Sequence, residues 1–597
     1  MAKPDPHPHP YPALDEAVHQ FAEQNGVTPA QVSALRAALA ADPNVSQRLD
    51  DQVRIGALHG FAPAAAGAPD HPVGDYERGA GTVTLPASAF PASGAHADLA
   101  AVLRVQAMVV EFGGKHYTDA AGTSQPVTPD MLSNLQGTLN GSPVLADDIK
   151  RAATTADPLQ PHHRILESFA FTAPGAGVGG SFSAPNHAMN LVSESLMTTT
   201  PPGGSGQYDP YDLTFVIGHE VQHGFNAQAA AQARSAFVAD VRTLAATPGP
   251  VHDYTALVER RIQAGREDEA SAHISGWNAL RSRVEHERGA VSLAAIDRAD
   301  HSRAADFLEV QNGALVPRAN VQLNADLSMA HSHANIAGMG HNYFDRPVHP
   351  APGDNRQAMH LGHGGVEDYP NYYAGWAVAV IGAEERATAH GKGPAPQIQI
   401  NMTHAGLSEA MMEQAGLNLA PSKQSIPYLD NSTQPATLHR FDHTSDGPHQ
   451  YQSVPVAPVR LDDPTHADHA LFRQARGHVA ALDQSLGRTP DQHTDQIASS
   501  LVVQARADGL QRIDQVALST DGERLWAVQT PPGRTDHLFD LRTSVPTAEA
   551  VTSMEQSGAK WPQAMQQFEQ TQAQQQAQSQ QVTQNQTQGP VMGHGGH

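Results

Sequence analysis

A chain of 597 residues, 40% hydrophobic and 16% charged, has material for roughly two to four domains and reads as soluble and globular with flexible parts. Its formal net charge of −24, with Lys and Arg scattered along the chain, weighs against a nucleic-acid or anionic-membrane surface. Cysteine is absent, which excludes disulfides, cysteine zinc sites and thiol nucleophiles, so a bound metal has to be held by histidine and carboxylate.

Residues 1–12 are expected to form a disordered arm rich in Pro and His, with no secretory signal pattern, and no apolar run approaches a membrane span. The protein is therefore expected to be made in the cytoplasm, with any export using another signal. Leu14, Val18 and Phe21, then Val32, Leu35 and Leu39, recur at helical spacing, so short amphipathic helices are predicted before Gly60. An Ala/Pro/Gly-rich stretch follows, with one strand predicted at Thr82–Leu85, and then a buried helix over Leu99–Val110. Between Arg164 and Met197 the runs ILESFAFTA, GGSFSA and AMNLVSESLM read as strands separated by turn residues.

Asp209 then offers a helix N-cap, Pro210 suits the first turn and Asp212 adds favourable charge there. The helix entered is expected to run to about Ala246, stopped by PGP at 248–250. It carries GHEVQHGF, residues 218–225. His219 and His223 lie one above the other on a helix, where both can take corners of a zinc tetrahedron, with Glu220 beside them to pull a proton from water. With 34 His in the chain, composition alone predicts roughly 0.07 HExxH matches, so the setting has to decide. The neighbours Val216, Ile217, Val221, Gln222 and Phe225 are uncharged, as a buried active-site helix requires, and Gly218 and Gly224 permit close approach of another backbone. The competing reading is two surface histidines on an Ala-rich helix.

A third ligand is needed, with the fourth position left for water. The extended metzincin pattern fails, because Asn226 and Ala229 stand where Gly and His are required. A second helix, about Tyr254–Glu287, supplies carboxylates instead. Glu269 stands 46 residues past His223 (269 − 223) and is preferred. Glu267 is the close competitor, since Ile274, Trp277 and Leu280 mark a core side that both glutamates flank. His273, one turn beyond Glu269, is an orienting group or itself a ligand. Beyond Gly289 an exposed helix and irregular His/Gly-rich structure are expected to about Gly365. A buried helix within Glu367–Glu385, a strand at Gln397–Asn401 and a helix at Leu407–Ala415 follow.

A helix bearing HExxH followed by a second helix with a glutamate resembles the gluzincin class of zinc metallopeptidases, over roughly residues 160–290. The position one turn after the glutamate, often aspartate in that class, is His273 here (or Ser271 counting from Glu267). The resemblance implies Zn2+ held by His219, His223 and Glu269, with Glu220 taking a proton from water and passing it to the leaving amine. It also implies an edge strand, here expected at Ala188–Met197, that pairs with the substrate. Tyr343, Tyr369, Tyr372, Tyr373 and His341 are candidates to stabilise the oxyanion, against the alternative of buried aromatics with satisfied hydroxyls.

Residues 431–460 are polar and Pro-rich and are expected to form a linker. In the module that follows, Leu471, Phe472, Val479 and Leu482 mark an amphipathic helix and Asp491–Arg506 a second one. The turn Asp521-Gly522 between DGLQRIDQVALS and RLWAVQ signals a hairpin. The Gln-rich residues 566–597 are expected to be disordered. The module, residues 461–565, resembles the XVIPCD domain of effectors exported by xanthomonad-type type IV secretion systems. The motifs carrying it are Asp463-Pro464, Asp468-His469, Gly487-Arg488-Thr489-Pro490-Asp491-Gln492, Asp508-Gly509-Leu510, Leu518-Ser519, Asp521-Gly522 and Ala527-Val528-Gln529. The resemblance implies docking on the coupling ATPase of the secretion machine. It further implies an antibacterial toxin delivered to the envelope or periplasm of a target bacterium, and a cognate immunity protein in the producer.

The expected whole is an α+β protein. A mostly helical zincin-like peptidase region at 13–430 has a small sheet, and a small α+β secretion domain follows. Protein or peptidoglycan peptides are the expected substrates. A peptidoglycan peptide hydrolase is the alternative enzyme, and a non-catalytic binding module the alternative outside enzymes.

Overall fold

The computed structural model describes residues 11–90, 97–173, 178–198, 207–350, 356, 359–362, 365–389, 396–446, 460–464, 466–533, 537–538, 540–554, 556–565, 567–568 and 571–572. The arm at 1–10 and nearly all of the Gln-rich tail lie outside them. About 51% of the described residues are helical, with several small sheets, and the fold is the expected α+β mixture. It divides into two compact units, which meet in sequence near residues 436–453.

The first unit opens with α1 (Pro12–Ala22), α2 (Pro29–Ala41) and α3 (Pro43–Arg54), each with proline in its first turn and the last two capped by Thr28 and Asp42. Leu14, Val18, Phe21, Leu35 and Leu39 are buried as their spacing predicts. A small sheet, β1 (Gly60–Pro63), β2 (Asp75–Glu77) and β3 (Thr82–Leu85), precedes the buried helix α4 (Ala97–Gly113). A hairpin of β4 (His116–Thr118) and β5 (Ser124–Pro126) leads to α5 (Pro129–Asn140) and α6 (Pro143–Thr154). Thr128 and Ser142 accept from backbone N–H groups at the starts of these two helices.

The three strand-like runs become β6 (Ser168–Phe171), β7 (Gly180–Ser183) and β8 (Ala188–Leu191), in the order β6-β8-β7. This corrects the expected edge strand. The run starting at Ala188 is central, parallel to β6 and antiparallel to β7, and its end curls into a 3₁₀ turn at Glu194–Leu196. Among the described residues the strand that passes over the metal motif and pairs on one side only is β7.

Two long helices follow, α7 (Pro210–Ala245) and α8 (Thr255–Arg288), with the short strand β9 (Val251–Asp253) between them. Asp209 caps α7 by accepting from the N–H groups of Tyr211 and Asp212. Three apolar clusters draw on α7: one takes Leu213, Ile217 and Val221, another Phe215, and a third Phe237 and Val241. That division fits a long helix with no single apolar face.

After α9 (Leu293–Ala299) and α10 (His301–Ala304), the stretch expected to be irregular contains a hairpin, β10 (Leu308–Gln311) and β11 (Ala314–Pro317). Asn312 and Gly313 at its turn both have positive φ, the conformation an Asn-Gly pair adopts readily. Then come α11 (His333–Met339), a π-helical turn at Gly340–Phe344, α12 (Tyr369–Ala389), β12 (Gln397–Ile400), α13 (Glu409–Gln414) and β13 (Ile426–Asp430). Strands β9, β12 and β13 form a parallel sheet with β12 in the middle. The stretch expected to be a linker begins ordered: a strand covers Thr437–Phe441 (β14), and Phe441 is buried, stacked on Tyr428 with centroids 4.2 Å apart. Residues 447–459 lie outside the described ones.

In the second unit α14 (His469–Ser485) and α15 (Gln492–Ala507) pack with an antiparallel sheet of β15 (Gln515–Leu518), β16 (Arg524–Gln529) and β17 (Leu541–Pro546). The hairpin turn falls at Asp521 and Gly522, as expected, with Gly522 at φ +74. Asp468, buried at the entry to α14, is paired with Arg506 and accepts from the Trp561 indole at 2.8 Å. No described helix is long and apolar enough to cross a membrane.

Candidate metal centre

The site is built where α7 and α8 run antiparallel. Gly218 lies against Ala279, Ser275 donates to Gln222 at 2.9 Å, and Asn226 donates to Asp268 at 2.8 Å. Rising numbers on one helix therefore meet falling numbers on the other. The approach is close because side chains are missing where they would collide. A Cβ on Gly218 would sit 2.8 Å from that of Ala279, and one on Gly276 would sit 2.8 Å from the Phe215 ring.

This packing sets three donor atoms facing one another. The Nε2 atoms of His219 and His223 are 3.2 Å apart, and Glu269 Oε2 lies 3.5 and 3.7 Å from them. His219, His223 and Glu269 are the group among the described residues able to hold a cation. Glu269 Oε2 is buried and has no hydrogen-bond donor. A buried carboxylate oxygen without a partner is costly, and a cation between these atoms would satisfy it. A tetrahedral zinc with ligand bonds of about 2.0–2.1 Å holds its donors about 3.3 Å apart, close to the separations found. The donor set could hold a metal ion of this size.

Both competitors for the third position stand elsewhere. Glu267 is exposed and accepts from Gln263 at 2.9 Å. His273 is fully buried, bonded through Nε2 to Asp306 at 3.1 Å and stacked on Tyr343 with centroids 3.7 Å apart. Its place is in the packing behind the ligands. Sequence reasoning missed Asp268, whose Oδ1 lies 3.2 Å from His223 Nδ1 and so turns Nε2 toward the site.

The electrostatics follow from burial and neighbours. Burial pushes His219 down to about 4, leaving a neutral imidazole with a free lone pair. Burial also acts to lower His223, but Glu269 and Asp268 outweigh it and raise the group to about 10. Glu269 is disfavoured as an anion by burial, yet the His223 charge, with the His219 imidazole beside it, holds it at about 2. Glu220 is pushed up to about 7, chiefly by burial, although the His223 charge and a backbone hydrogen bond from Phe182 on β7 oppose the rise. A carboxyl poised near neutrality can take a proton and return it.

Glu220 and His219 line a cavity of about 240 Å³ with Gly180 of β7, Arg303, Tyr343 and Tyr369. Of the oxyanion candidates, Tyr343 and Tyr369 reach this cavity, their hydroxyls 3.0 Å apart. Burial raises both phenols, so they remain proton donors. Tyr373 instead donates to Glu269 Oε1 at 3.2 Å. Tyr372 and His341 are exposed and absent from the cavity wall.

Comparison with known families gives one finding: residues 462–563 match the family described as X-Tfes, XVIPCD. The C-terminal module thus marks the chain as a type IV secretion effector, and Asp468, Arg506 and Trp561 form a partly buried polar connection within it. The match does not reach the first unit. A search of the curated proteins returned no match.

Proposed function

We propose that the first unit is a zinc-dependent peptidase, the toxic cargo that the C-terminal domain delivers to a target bacterium. The observation that carries this reading is Glu269 Oε2, buried, without a donor, and aimed between two facing imidazole nitrogens. His219, His223 and Glu269 would hold the ion, which supplies Lewis acidity toward an amide carbonyl and toward water. Glu220 removes the proton from the attacking water and delivers it to the departing amine. Tyr343 and Tyr369 offer hydroxyls to the oxygen that gains charge. The open side of β7 offers backbone groups to an extended chain. The coupling ATPase as docking partner, delivery to the periplasm and a cognate immunity protein in the producer belong to the same reading, supported by the XVIPCD match.

Purified protein is expected to carry about one zinc per chain and to hydrolyse unfolded protein or isolated cell-wall sacculi. Chelation should remove activity, and zinc should restore it. Release of stem-peptide fragments from sacculi alone would assign the cell-wall substrate. Metal-free protein as active as the loaded form would overturn the reading. Because His223 is protonated up to about pH 10 without metal, zinc has to displace that proton. Affinity should therefore rise between pH 6 and 9, by up to about tenfold per unit, in competition with a chelating dye.

A further inference from the structure

Behind the metal ligands lies a second, larger cavity of about 780 Å³ whose wall includes Arg234, Arg261, Glu367, Tyr373, Trp376 and Leu417. Its volume suits a few residues of peptide. Arg261 is only 9% exposed, yet its Nε has no hydrogen-bond partner, and the side chain forms no hydrogen bond or ion pair among the described residues. Two aromatic faces hold it, with the guanidinium 4.6 Å from the Tyr373 centroid and 5.2 Å from that of Trp376, and the Asp268 charge acts on it without bonding to it. A buried guanidinium with unused donors is costly, and its planar fork matches a carboxylate. Arg234 adds a second, exposed guanidinium at the wall. Glu367 is the acidic group in the lining, and burial raises it to about 8, so at neutral pH it does not cancel the arginines.

One residue joins this cavity to the metal centre. Tyr373 fits against Gly265 of α8, where a Cβ would come within 2.6 Å of its ring, and its hydroxyl donates to Glu269 at 3.2 Å. The face that carries the Arg261 charge thus belongs to the same side chain that touches the third ligand.

We propose that this cavity is a binding subsite for an acidic peptide segment, whose carboxylate pairs with Arg261 and whose body packs on Trp376 and Leu417. Calling that segment part of the substrate rests on the peptidase reading; the binding itself does not.

Binding is measured without turnover, on the full chain, by intrinsic tryptophan fluorescence during titration with an N-acetylated, C-amidated triglutamate peptide, with Trp376→Phe, which removes the cavity's own tryptophan among the four of the chain, as the control that assigns the signal. The expected result is a saturable change that weakens with added salt and is lost with triglutamine. Arg261→Gln should weaken binding by about tenfold or more, and Arg261→Lys by less, since a point charge replaces a fork. Arg234→Gln, at an exposed side chain that cannot unfold the core, should weaken it by about threefold. No response in the wild type, equal affinity for triglutamine, or full affinity in both glutamine variants would overturn the subsite. Cleavage-site profiling of a mixed peptide pool is read separately. Cleavage of neither the pool nor isolated sacculi rejects the peptidase, whereas cleavage of the pool without an acidic residue at a fixed distance from the cut rejects the subsite's part in substrate choice.

Discussion

Glu220→Gln is expected to abolish hydrolysis, lowering kcat by at least about a thousandfold while leaving the zinc content unchanged, because general-base transfer alone contributes roughly 10²–10⁴-fold. The amide keeps the shape of the carboxyl but cannot accept the proton. The same variant should be more stable than the parent when both are metal-free. In the fold the Glu220 carboxyl is pushed up to about 7 from an ordinary 4.5. Below the ordinary value it is neutral both folded and unfolded, and it costs nothing. As pH rises through 4.5 the unfolded chain loses the proton first, so the penalty on the fold grows until about pH 7 and is constant above it. At pH 8 that penalty is about 2–3 kcal/mol after allowance for partial solvation. Thermal unfolding at pH 4 and pH 8 checks the sign: the variant's advantage should appear only at the higher pH. Retained activity would remove Glu220 from the chemistry.

The parts of this site that were legible in the sequence are those set by local geometry. His219, Glu220 and His223 share one helical turn, and the cap at Asp209 announces where the helix begins. Glu269 was legible as one of three choices, beside Glu267 and His273. At about 100° per residue, Glu269 and Glu267 lie some 80° to either side of Trp277 on the α8 wheel, so the apolar pattern does not separate them. What does is the docking of α8 on α7 through Gly218 and Gly276, a contact between residues far apart in the chain. The central position of β8 was hidden for a similar reason, since strand order depends on pairing. Asp268, Arg261 and Tyr373 act through neighbours that only the fold supplies. The hairpin at Leu308–Pro317 is different: Asn312-Gly313 between two apolar runs was a readable signal. The C-terminal domain was legible because many short motifs occur in order, and the matched range, 462–563, falls within the expected boundaries.

Removing the third ligand should separate the two glutamates. Glu269→Ala is expected to lower zinc affinity by well over about a hundredfold, since loss of a merely supporting group already costs roughly 10–100-fold. Glu267→Ala should leave affinity within about twofold, because its exposed carboxylate meets only Gln263 and solvent. Asp268→Asn should fall between them, at about 10–100-fold. That substitution removes the anion beside His223 Nδ1 while leaving all three donor atoms in place. Competition against a chelating dye measures all three variants. The pH dependence adds a second reading. Glu269 and Asp268 both support the His223 charge, so either change lowers the pH at which His223 gives up its proton to zinc. Asp268→Asn should thus bind more weakly but with a shallower rise toward high pH, an outcome that simple loss of packing would not produce. Loss of zinc in Glu267→Ala with retention in Glu269→Ala would reverse the assignment of the third ligand.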